Sequence, residues 1–290
     1  VHISVLRNEV TQWLSPCAGG VFVDGTLGAG GHTRALAERV GPGGLVIGID
    51  RDSAALDAAQ RELSGLPVRL VQANFCDLPE VLKTLGIESV DGVVLDLGMS
   101  SDQLADASRG FSFDADGPLD LRFDTSAGEP AWRLLNRLSA DHLADLIYHF
   151  GEEKHSRKIA RRIVDRRREK PVRTARELAD ILRRCVPRSR NDKIDPATRT
   201  FQALRIAVNG ELKSLEIALR RIPQCLRPQA RIAIISFHSL EDRRVKEAFR
   251  DDPRYEPLSK KPIRASEEEI AANPRARSAK LRVAARTTAA

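Results

Sequence analysis

Three apolar runs that each end in an aspartate constrain the fold of this chain most strongly. The runs cover residues 20–24, 45–50 and 90–96, and segments with helical periodicity separate them. Continuous apolar runs that alternate with helices are typical of βαβ units in a parallel sheet. Because parallel strands end at one edge of their sheet, we expect the carboxylates of Asp24, Asp50 and Asp96 to face a common ligand crevice.

The alternation of strands and helices is interrupted in the middle of the chain. The periodicity there predicts only helices, over residues 132–138, 141–150 continuing into 154–168, and 174–186. It then predicts a long helix over 198–226, a strand over 230–237, a helix over 240–250, an exposed loop over 251–280 and a last strand over 281–284. We therefore predict an α/β domain of residues 1–106 and 201–290 with an all-helical, substrate-recognition insertion at 107–200. Such insertions lie over the crevice.

Length and composition exclude several classes of protein. The chain has 290 residues, 42% of them hydrophobic, with no apolar run near the roughly 18 residues of a membrane span. We expect no signal peptide. The 4 cysteines of the chain are scattered without a CxxC spacing, which argues against a disulfide scaffold and a zinc site. We expect a cytoplasmic protein that does not cross a membrane.

The net charge of +7 conceals a strong asymmetry. Residues 1–150 carry 11 Lys and Arg against 21 Asp and Glu, whereas residues 151–290 carry 36 against 19. Residues 151–200 alone carry 17 basic and 8 acidic side chains. A basic segment joined to an acidic one indicates a polyanionic partner such as nucleic acid. A solvated, Arg-rich helix face is the alternative.

The glycine-rich loop after the first apolar run narrows the choice of cofactor. Between a strand and a helix, glycines let a ligand approach the backbone N–H groups closely. A phosphate-binding P-loop would need Lys and Ser or Thr where Gly31 and His32 stand. The dinucleotide fingerprint on Gly28 and Gly30 would need a third glycine where Thr33 stands. S-adenosylmethionine, which has no phosphate, remains the best candidate.

Two further residues fit a nucleoside-like cofactor without identifying it. Asp50 follows the second strand, where a carboxylate accepts hydrogen bonds from ribose hydroxyls, and this geometry serves NAD equally well. Phe75 follows a further predicted strand over residues 68–71, the third along the chain, and is placed either to pack against an adenine ring or to lie in the core. An acidic crevice would also suit the positively charged sulfonium.

The aspartates at positions 114, 116, 120 and 124 resemble a metal loop in composition only. Their spacing does not match an EF-hand, and Gly117-Pro118 indicates a turn. We therefore assign no metal ligands.

Nine ordered blocks of the chain resemble the bacterial MraW/RsmH family. The blocks cover residues 24–32, 48–52, 95–101, 109–113, 116–122, 151–153, 196–203, 234–242 and 273–278. This resemblance implies a class I S-adenosylmethionine-dependent methyltransferase, with a Rossmann-like, mostly parallel α/β sheet. It further implies that the enzyme methylates the exocyclic N4 of a cytosine in 16S ribosomal RNA, at the decoding (P-site) region of the small subunit.

The resemblance also assigns residues to the cofactor. By position these are Gly30, Gly31, His32, Asp50, Phe75, Asp96 and Gln103. The departures from the family pattern, at Ala29 and Met99, remove no polar group that the cofactor needs.

Catalysis at N4 requires groups that accept hydrogen bonds from the amine and hold it near the methyl carbon. We expect Asp96 and Ser100 near the reacting nitrogen. His238, after the fifth strand, either orients the base or has a structural role. The segment Asp96-Leu-Gly-Met99 lacks the prolines and the aromatic residue common in DNA amino-methyltransferases, so the insertion is expected to hold the target base.

An Arg-rich helix in the insertion is the predicted RNA-binding element. Its candidate phosphate contacts are Arg157, Lys158, Arg161, Arg162, Arg166, Arg167 and Arg168. The target base must be unpaired or flipped out. Two other functions remain open, a NAD-dependent oxidoreductase and a non-catalytic RNA-binding protein, and a homodimer is compatible with the sequence.

Overall fold

The computed structural model describes residues 4–113, 116–186 and 195–288. It divides into two compact units, one of residues 1–99 and 212–290 and one of residues 100–211. The insertion thus begins earlier and ends later than the predicted 107–200. Asp114 of the acidic loop lies outside the described residues.

The first unit is built on a sheet of seven strands in the order β3-β2-β1-β4-β5-β7-β6. The strands are β1 (Val21–Asp24), β2 (Leu45–Asp50), β3 (Val68–Gln72), β4 (Val90–Asp96), β5 (Leu226–Ser236), β6 (Tyr255–Pro257) and β7 (Lys280–Arg286). The first five strands pair in parallel, whereas β7 runs antiparallel to both β5 and β6. The predicted α/β fold with a mostly parallel sheet is confirmed.

The helices follow the predicted pattern closely in most places. They are α1 (Arg7–Leu14), α2 (Gly31–Val40), α3 (Ser53–Glu62), α4 (Leu78–Leu85), α5 (Ser101–Ala105), α6 (Ala131–Arg137), α7 (Ala140–Gly151), α8 (Ser156–Glu169), α9 (Ala175–Cys185), α10 (Thr198–Asn209), α11 (Glu211–Arg221), α12 (Ser239–Asp251) and α13 (Glu267–Ala272). None of these helices has the length and apolar composition that crossing a bilayer requires, and that finding concerns only the described residues.

Both faces of the sheet are buried, which explains why its strands are apolar without alternation. Phe22 and Val46 lie in one apolar cluster with Leu36, whereas Val23 and Ile47, the next residues along β1 and β2, lie in another. Residues of α1 and α2 complete the first cluster, and residues of α4, α11 and α12 complete the second. Helices therefore cover both sides of the strands.

The predicted long helix over 198–226 is wrong, because two features end it early. Gly210 adopts the left-handed conformation, φ 60°, and terminates α10, and its N–H donates to Ile206 O. A short 3₁₀ turn that contains Pro223 ends α11, and β5 then begins at Leu226. The extended part of this segment is therefore longer than the predicted strand over 230–237.

Residues 251–280 are not the continuous exposed loop that composition predicts. β6 pairs with β7 at the sheet edge, and α13 begins after Ser266, whose hydroxyl accepts from Glu269 N. The Glu269 carboxylate in turn accepts from the backbone N–H of Leu6, at 2.7 Å. This contact spans 263 positions along the chain, and no local pattern could indicate it.

Helix α10 belongs to the second unit, and Asn209 at its buried end forms hydrogen bonds with a neighbouring loop of that unit. Asn209 donates from Nδ2 to Leu121 O and accepts at Oδ1 from Phe123 N, both at 2.7 Å. Leu121 has a positive φ of 62°, so this turn needs such support. These bonds explain why the insertion extends beyond residue 200.

Candidate functional site

The glycine loop between β1 and α2 is shaped by a carboxylate from the next strand. Gly28 and Gly30 have φ values of 50° and 78°, which favour glycine. Asp50, at the end of β2, accepts from the backbone N–H groups of Gly28 and Asp52, each at 2.9 Å. Each carboxylate oxygen has a second lone pair, so Asp50 can also accept from a ribose hydroxyl.

Two other glycines are required by close packing around the loop. A Cβ on Gly31 would lie 1.9 Å from Ser4 Oγ. A Cβ on Gly25 would lie 2.4 Å from Leu95 Cδ2 and 3.0 Å from the Cβ of Phe75. The loop therefore lies tightly against β4 and the start of the chain.

Asp24 anchors the start of α2 from the end of β1. Its carboxylate is fully buried and accepts from Thr33 Oγ1 at 2.8 Å and from Thr26 N at 3.2 Å. The hydroxyl of Thr26 in turn accepts from the backbone N–H of Asp96, at 2.6 Å. The ends of β1 and β4 are thus joined through one threonine.

His32 and Asp96 form the polar centre of this edge of the sheet. His32 Nε2 lies 3.7 Å from Asp96 Oδ2, longer than a hydrogen bond. Within the described part of the chain, three buried atoms here have no hydrogen-bond partner: both ring nitrogens of His32 and Asp96 Oδ1. Buried polar atoms without partners are rare, and a bound ligand is one explanation for them.

The ionisable groups of the site perturb one another. Burial raises the pKa of Asp24 and of Asp50 by penalising their charged forms, although hydrogen bonds oppose the shift. Burial alone would lower the pKa of His32, but the carboxylates of Asp96 and Asp24 outweigh it and the pKa is raised. Perturbed groups gathered in this way are typical of functional sites.

Phe75 lies beside the glycine loop, as its predicted role requires. It begins the 3₁₀ turn after β3, is half-buried, and packs against the core cluster that includes Leu95. Both interpretations of the sequence, a core side chain and a neighbour of the adenine ring, are therefore compatible with its position.

The hydrogen-bonding capacity that these residues leave unused fits S-adenosylmethionine. The oxygens of Asp50 and Asp96 would accept from its ribose hydroxyls and its ammonium group, and the His32 ring would contact its carboxylate. The backbone at Gly30 and Gly31 bears no side chain that would oppose its approach. The carboxylates would also stabilise the positive sulfonium.

His238 has a local structural role that the sequence left open. It precedes α12, and its Nδ1 accepts from Glu241 N at 3.4 Å, while Glu241 Oε2 accepts from Phe237 N at 2.9 Å. His238 Nε2 lies 3.0 Å from Glu241 Oε1. This capping box orients the imidazole.

Ser100 and Gln103 lie in the second unit, at the start of α5. Ser100 Oγ accepts from Gln103 N, and Gln103 Oε1 accepts from Ser100 N, both at 3.1 Å. This reciprocal capping box fixes the backbone of both residues. The Ser100 hydroxyl hydrogen remains available to donate.

The Arg-rich helix is α8, and most of its predicted RNA-binding residues are exposed. The exposed ones are Arg157, Lys158, Arg161, Arg162 and Arg168. Arg166 and Arg168 each form an ion pair within the helix, with Glu169 and Asp165 at 3.4 Å. Exposed pairs of this kind are weak, so both arginines can exchange their partners for a phosphate.

Arg167 differs from its neighbours because its guanidinium is used within the unit. It donates to Leu135 O at 2.5 Å and to Leu138 O at 2.7 Å, at the end of α6. Burial lowers the pKa of this guanidinium. We therefore replace its predicted phosphate contact with a helix-capping role, which only tertiary structure could indicate.

Sequence reasoning placed Asp24 at the crevice without assigning it a specific contact, and it assigned no role to Thr26 and Thr33. Asp24 had the same signal as Asp50 and Asp96, since all three end strands of the sheet. The threonines gave no separate signal, because their roles depend on contacts with side chains and backbone of other elements.

Comparison with known proteins agrees with this geometry. Residues 1–287 match the family model described as the MraW methylase family. A curated relative from Rhodopirellula baltica, ribosomal RNA small subunit methyltransferase H, is 52% identical over 98% of this chain and 91% of its own length. The protein of the same name from Sorangium cellulosum is 51% identical over 98% and 90%.

A solved structure supports the fold independently. The crystal structure assigned to an rRNA methylase of Clostridium thermocellum superposes with a TM-score of 0.51 at 13% identity, covering 99% of this chain and all of that one. The near-complete sequence match and the shared fold lead to one assignment: this chain belongs to the MraW methylase family and is a methyltransferase that uses S-adenosylmethionine.

Proposed function

We propose that this enzyme transfers a methyl group from S-adenosylmethionine to the exocyclic N4 of a cytosine in 16S ribosomal RNA, at the decoding (P-site) region of the small subunit. The observation that carries the proposal is the 52% identity over 98% of the chain to a ribosomal RNA small subunit methyltransferase H. The basic helix α8 supports an RNA substrate.

The cofactor residues proposed within the first unit are Gly30, Gly31, His32, Asp50, Phe75 and Asp96, and a cofactor contact of Gln103 stays a prediction from the family resemblance. Asp50 would hold the ribose while it orders the glycine loop through Gly28 N. Phe75 would pack against the adenine ring. His32 and Asp96 would hold the polar groups of the methionine part, since their buried atoms lack other partners among the described residues.

The cofactor supplies an electrophilic methyl group on a sulfonium. The cytosine amine is a weak nucleophile because its lone pair is delocalised into the ring. Asp96 would accept a hydrogen bond from N4, which favours a tetrahedral nitrogen whose lone pair points at the methyl carbon. Holding the amine in this orientation beside the bound cofactor would contribute much of the acceleration.

Ser100 and His238 would assist at the base. Ser100 can donate from its hydroxyl while its oxygen caps α5. The His238 ring is held by Glu241, so it would act as a fixed orienting group or as a proton acceptor.

The exposed basic residues of α8 would hold the RNA backbone. Their contacts with phosphates give affinity and register but no sequence selection. We place the reaction in the cytoplasm, where it would act on small ribosomal subunits, and a homodimer stays a prediction that light scattering would check.

The decisive experiment is methyl transfer from labelled S-adenosylmethionine to small ribosomal subunits from cells that lack this gene. Mass spectrometry of the nucleosides should find N4-methylcytidine only when the enzyme is present, and Asp96→Ala should abolish it. If the cofactor binds but neither subunits nor naked 16S RNA is methylated, the proposed substrate is wrong. Binding of NAD instead of S-adenosylmethionine would contradict the assignment of the cofactor.

A further inference from the structure

A groove in the second unit lies between α8 and α9 and has no role in the site described above. It encloses about 190 Å³, less than the roughly 300–1,000 Å³ of pockets that hold a whole small molecule. A space of this size suits one part of a longer ligand. All its lining residues belong to the second unit, so it does not depend on the cofactor site.

The charged rim of this α8–α9 groove arises from helical periodicity. Arg162 and Arg166 of α8 and Lys170 beyond it are spaced by four residues and line one wall. Asp180 and Arg184, also four residues apart, line the opposite wall on α9. Residues at this spacing lie on one face of a helix, so Arg162 and Arg166 share a face of α8, and Asp180 and Arg184 share a face of α9, whereas Lys170 is the extended residue that follows α8.

Three of these side chains have no partner within the described ranges. Arg166 pairs with Glu169, and Lys170 with Glu177 at 3.0 Å. Among the described residues, Arg162, Arg184 and Asp180 form neither a hydrogen bond nor an ion pair. The groove therefore offers free guanidinium donors and a free carboxylate acceptor that do not neutralise each other.

The remaining lining residues of the groove are Glu177, whose carboxylate pairs with Lys170, and three apolar residues. Pro171, Val172 and Ile181 are the apolar members of the lining, and Val172 is 2% exposed. A ligand that matches this groove carries an anion, a flat apolar surface and an N–H donor. A simple anion would use only the arginines and would be repelled by Asp180. A nucleotide with an amino-bearing base has all three features.

We propose that the α8–α9 groove binds one unpaired nucleotide of the RNA substrate, with its phosphate on Arg162 and Arg184, its base against Ile181, and an exocyclic amine on Asp180. This inference rests on the proposed function for its RNA partner. The groove would contact a base, whereas the exposed basic residues of α8 would contact only phosphates.

The test measures the affinity of the full-length protein for labelled single-stranded oligocytidine and oligouridine of equal length. The double variant Arg162→Gln/Arg184→Gln should weaken binding of both RNAs by about tenfold more than the matched control Arg157→Gln/Arg161→Gln, which removes equal charge from α8 outside the groove. Arg162→Lys/Arg184→Lys keeps the charge and should recover part of the loss. If the two double Arg→Gln variants weaken RNA binding equally, the effect is only the loss of positive charge, and the groove proposal would be wrong.

Asp180→Asn separates a nucleotide site from an anion site. It should weaken binding of oligocytidine, which loses a charged acceptor for its amine, and leave binding of oligouridine unchanged or tighter. If the Asp180→Asn variant binds both RNAs more tightly, the groove binds only an anion, and the proposal would be wrong. Thermal unfolding of each variant checks that the second unit is intact.

The two proposals fail in different ways. Wild-type protein that binds neither RNA nor ribosomal subunits would contradict the proposed function, and the groove proposal would fall with it. Wild-type protein that methylates subunits normally, alongside an Arg162→Gln/Arg184→Gln variant with an unchanged KM, would contradict the groove alone. The expected result is a raised KM with an unchanged kcat.

Discussion

At the scale of single residues, the site is organised by carboxylates at strand ends. Asp50 holds the glycine loop through the backbone N–H of Gly28 and also accepts from the N–H of Asp52, and Asp24 holds the first turn of α2 through Thr33. The sequence predicted that these acids would meet at one edge, because parallel strands all end there. It could not predict that both are already bonded to the protein, because those bonds join separate elements.

Gly31 is expected to be intolerant of a side chain for a steric reason. Gly31→Ala would place Cβ 1.9 Å from Ser4 Oγ and should lower the free energy of unfolding by about 1–3 kcal/mol, measured by urea denaturation. Ser4→Ala removes that oxygen, so Gly31→Ala/Ser4→Ala should recover most of the loss. A double variant as unstable as Gly31→Ala would contradict this explanation, and Ser4→Ala alone is the control.

His32 is expected to make stability depend on pH. Its pKa is raised in the folded protein, so its contribution is complete below its unfolded value of about 6.5 and is lost as the pH rises through the folded pKa. Asp96→Asn removes the main group that raises this pKa. The variant should therefore lose less stability than the wild type as the pH rises above about 6.5.

Two measurements check this linkage. Urea unfolding across that pH range gives the slope for each protein, and NMR titration of the imidazole gives its midpoint. An imidazole midpoint in Asp96→Asn that is equal to or above the wild-type value would contradict the proposed role of Asp96.

At the scale of elements, α8 shows how one basic helix serves two purposes. Ile159 and Ile163 face the core of the unit, and Arg167 caps α6, whereas Arg157 and Arg161 are exposed. The charge pattern alone treats all these arginines alike. Only the neighbour of each helix face decides which guanidinium is structural.

This difference between the arginines of α8 predicts that one substitution lowers stability and another changes RNA binding. Arg167→Gln leaves the carbonyls of Leu135 and Leu138 without their charged donor and should cost about 1.5–3 kcal/mol of stability. Arg161→Gln should leave stability unchanged and reduce the slope of log K against log salt for RNA binding by about 0.7–0.9. Denaturation and salt titrations of both variants measure this, and a reversed pattern would return Arg167 to the RNA-binding set.

At the scale of the whole molecule, the charge asymmetry runs along the chain and does not coincide with the two units: residues 1–99 and 212–290 carry 25 Lys and Arg against 22 Asp and Glu, and residues 100–211 carry 22 against 18. The first 150 residues are acidic and contain β1 to β4 with the cofactor cluster, and the basic helices α8 and α9 lie in the second unit. The carboxylates of the cofactor cluster and the basic helix α8 nevertheless lie in different units, which fits a cationic cofactor in one unit and a polyanion on the other.

Cofactor binding should therefore stabilise the first unit selectively. At about 100 times its Kd, S-adenosylmethionine should raise the free energy of unfolding by about 2.7 kcal/mol. Hydrogen exchange followed by mass spectrometry should show new protection at residues 25–33 and around Asp50 and Asp96, with that of α8 and α9 unchanged. Protection confined to the second unit would contradict the assigned cofactor site.

The sequence by itself predicted the parallel sheet, the succession along the chain of its first four strands and their helices, the helical insertion and the acids at the strand ends. These features depend on local periodicity and on short motifs, which a chain carries within a few residues. Tertiary structure decided the end of α10 at Gly210, the edge strand β6, the capping role of Arg167 and the groove between α8 and α9. Each of these features depends on a contact with a side chain or backbone group that is distant in the sequence. The local sequence does not determine the free energy of such a contact.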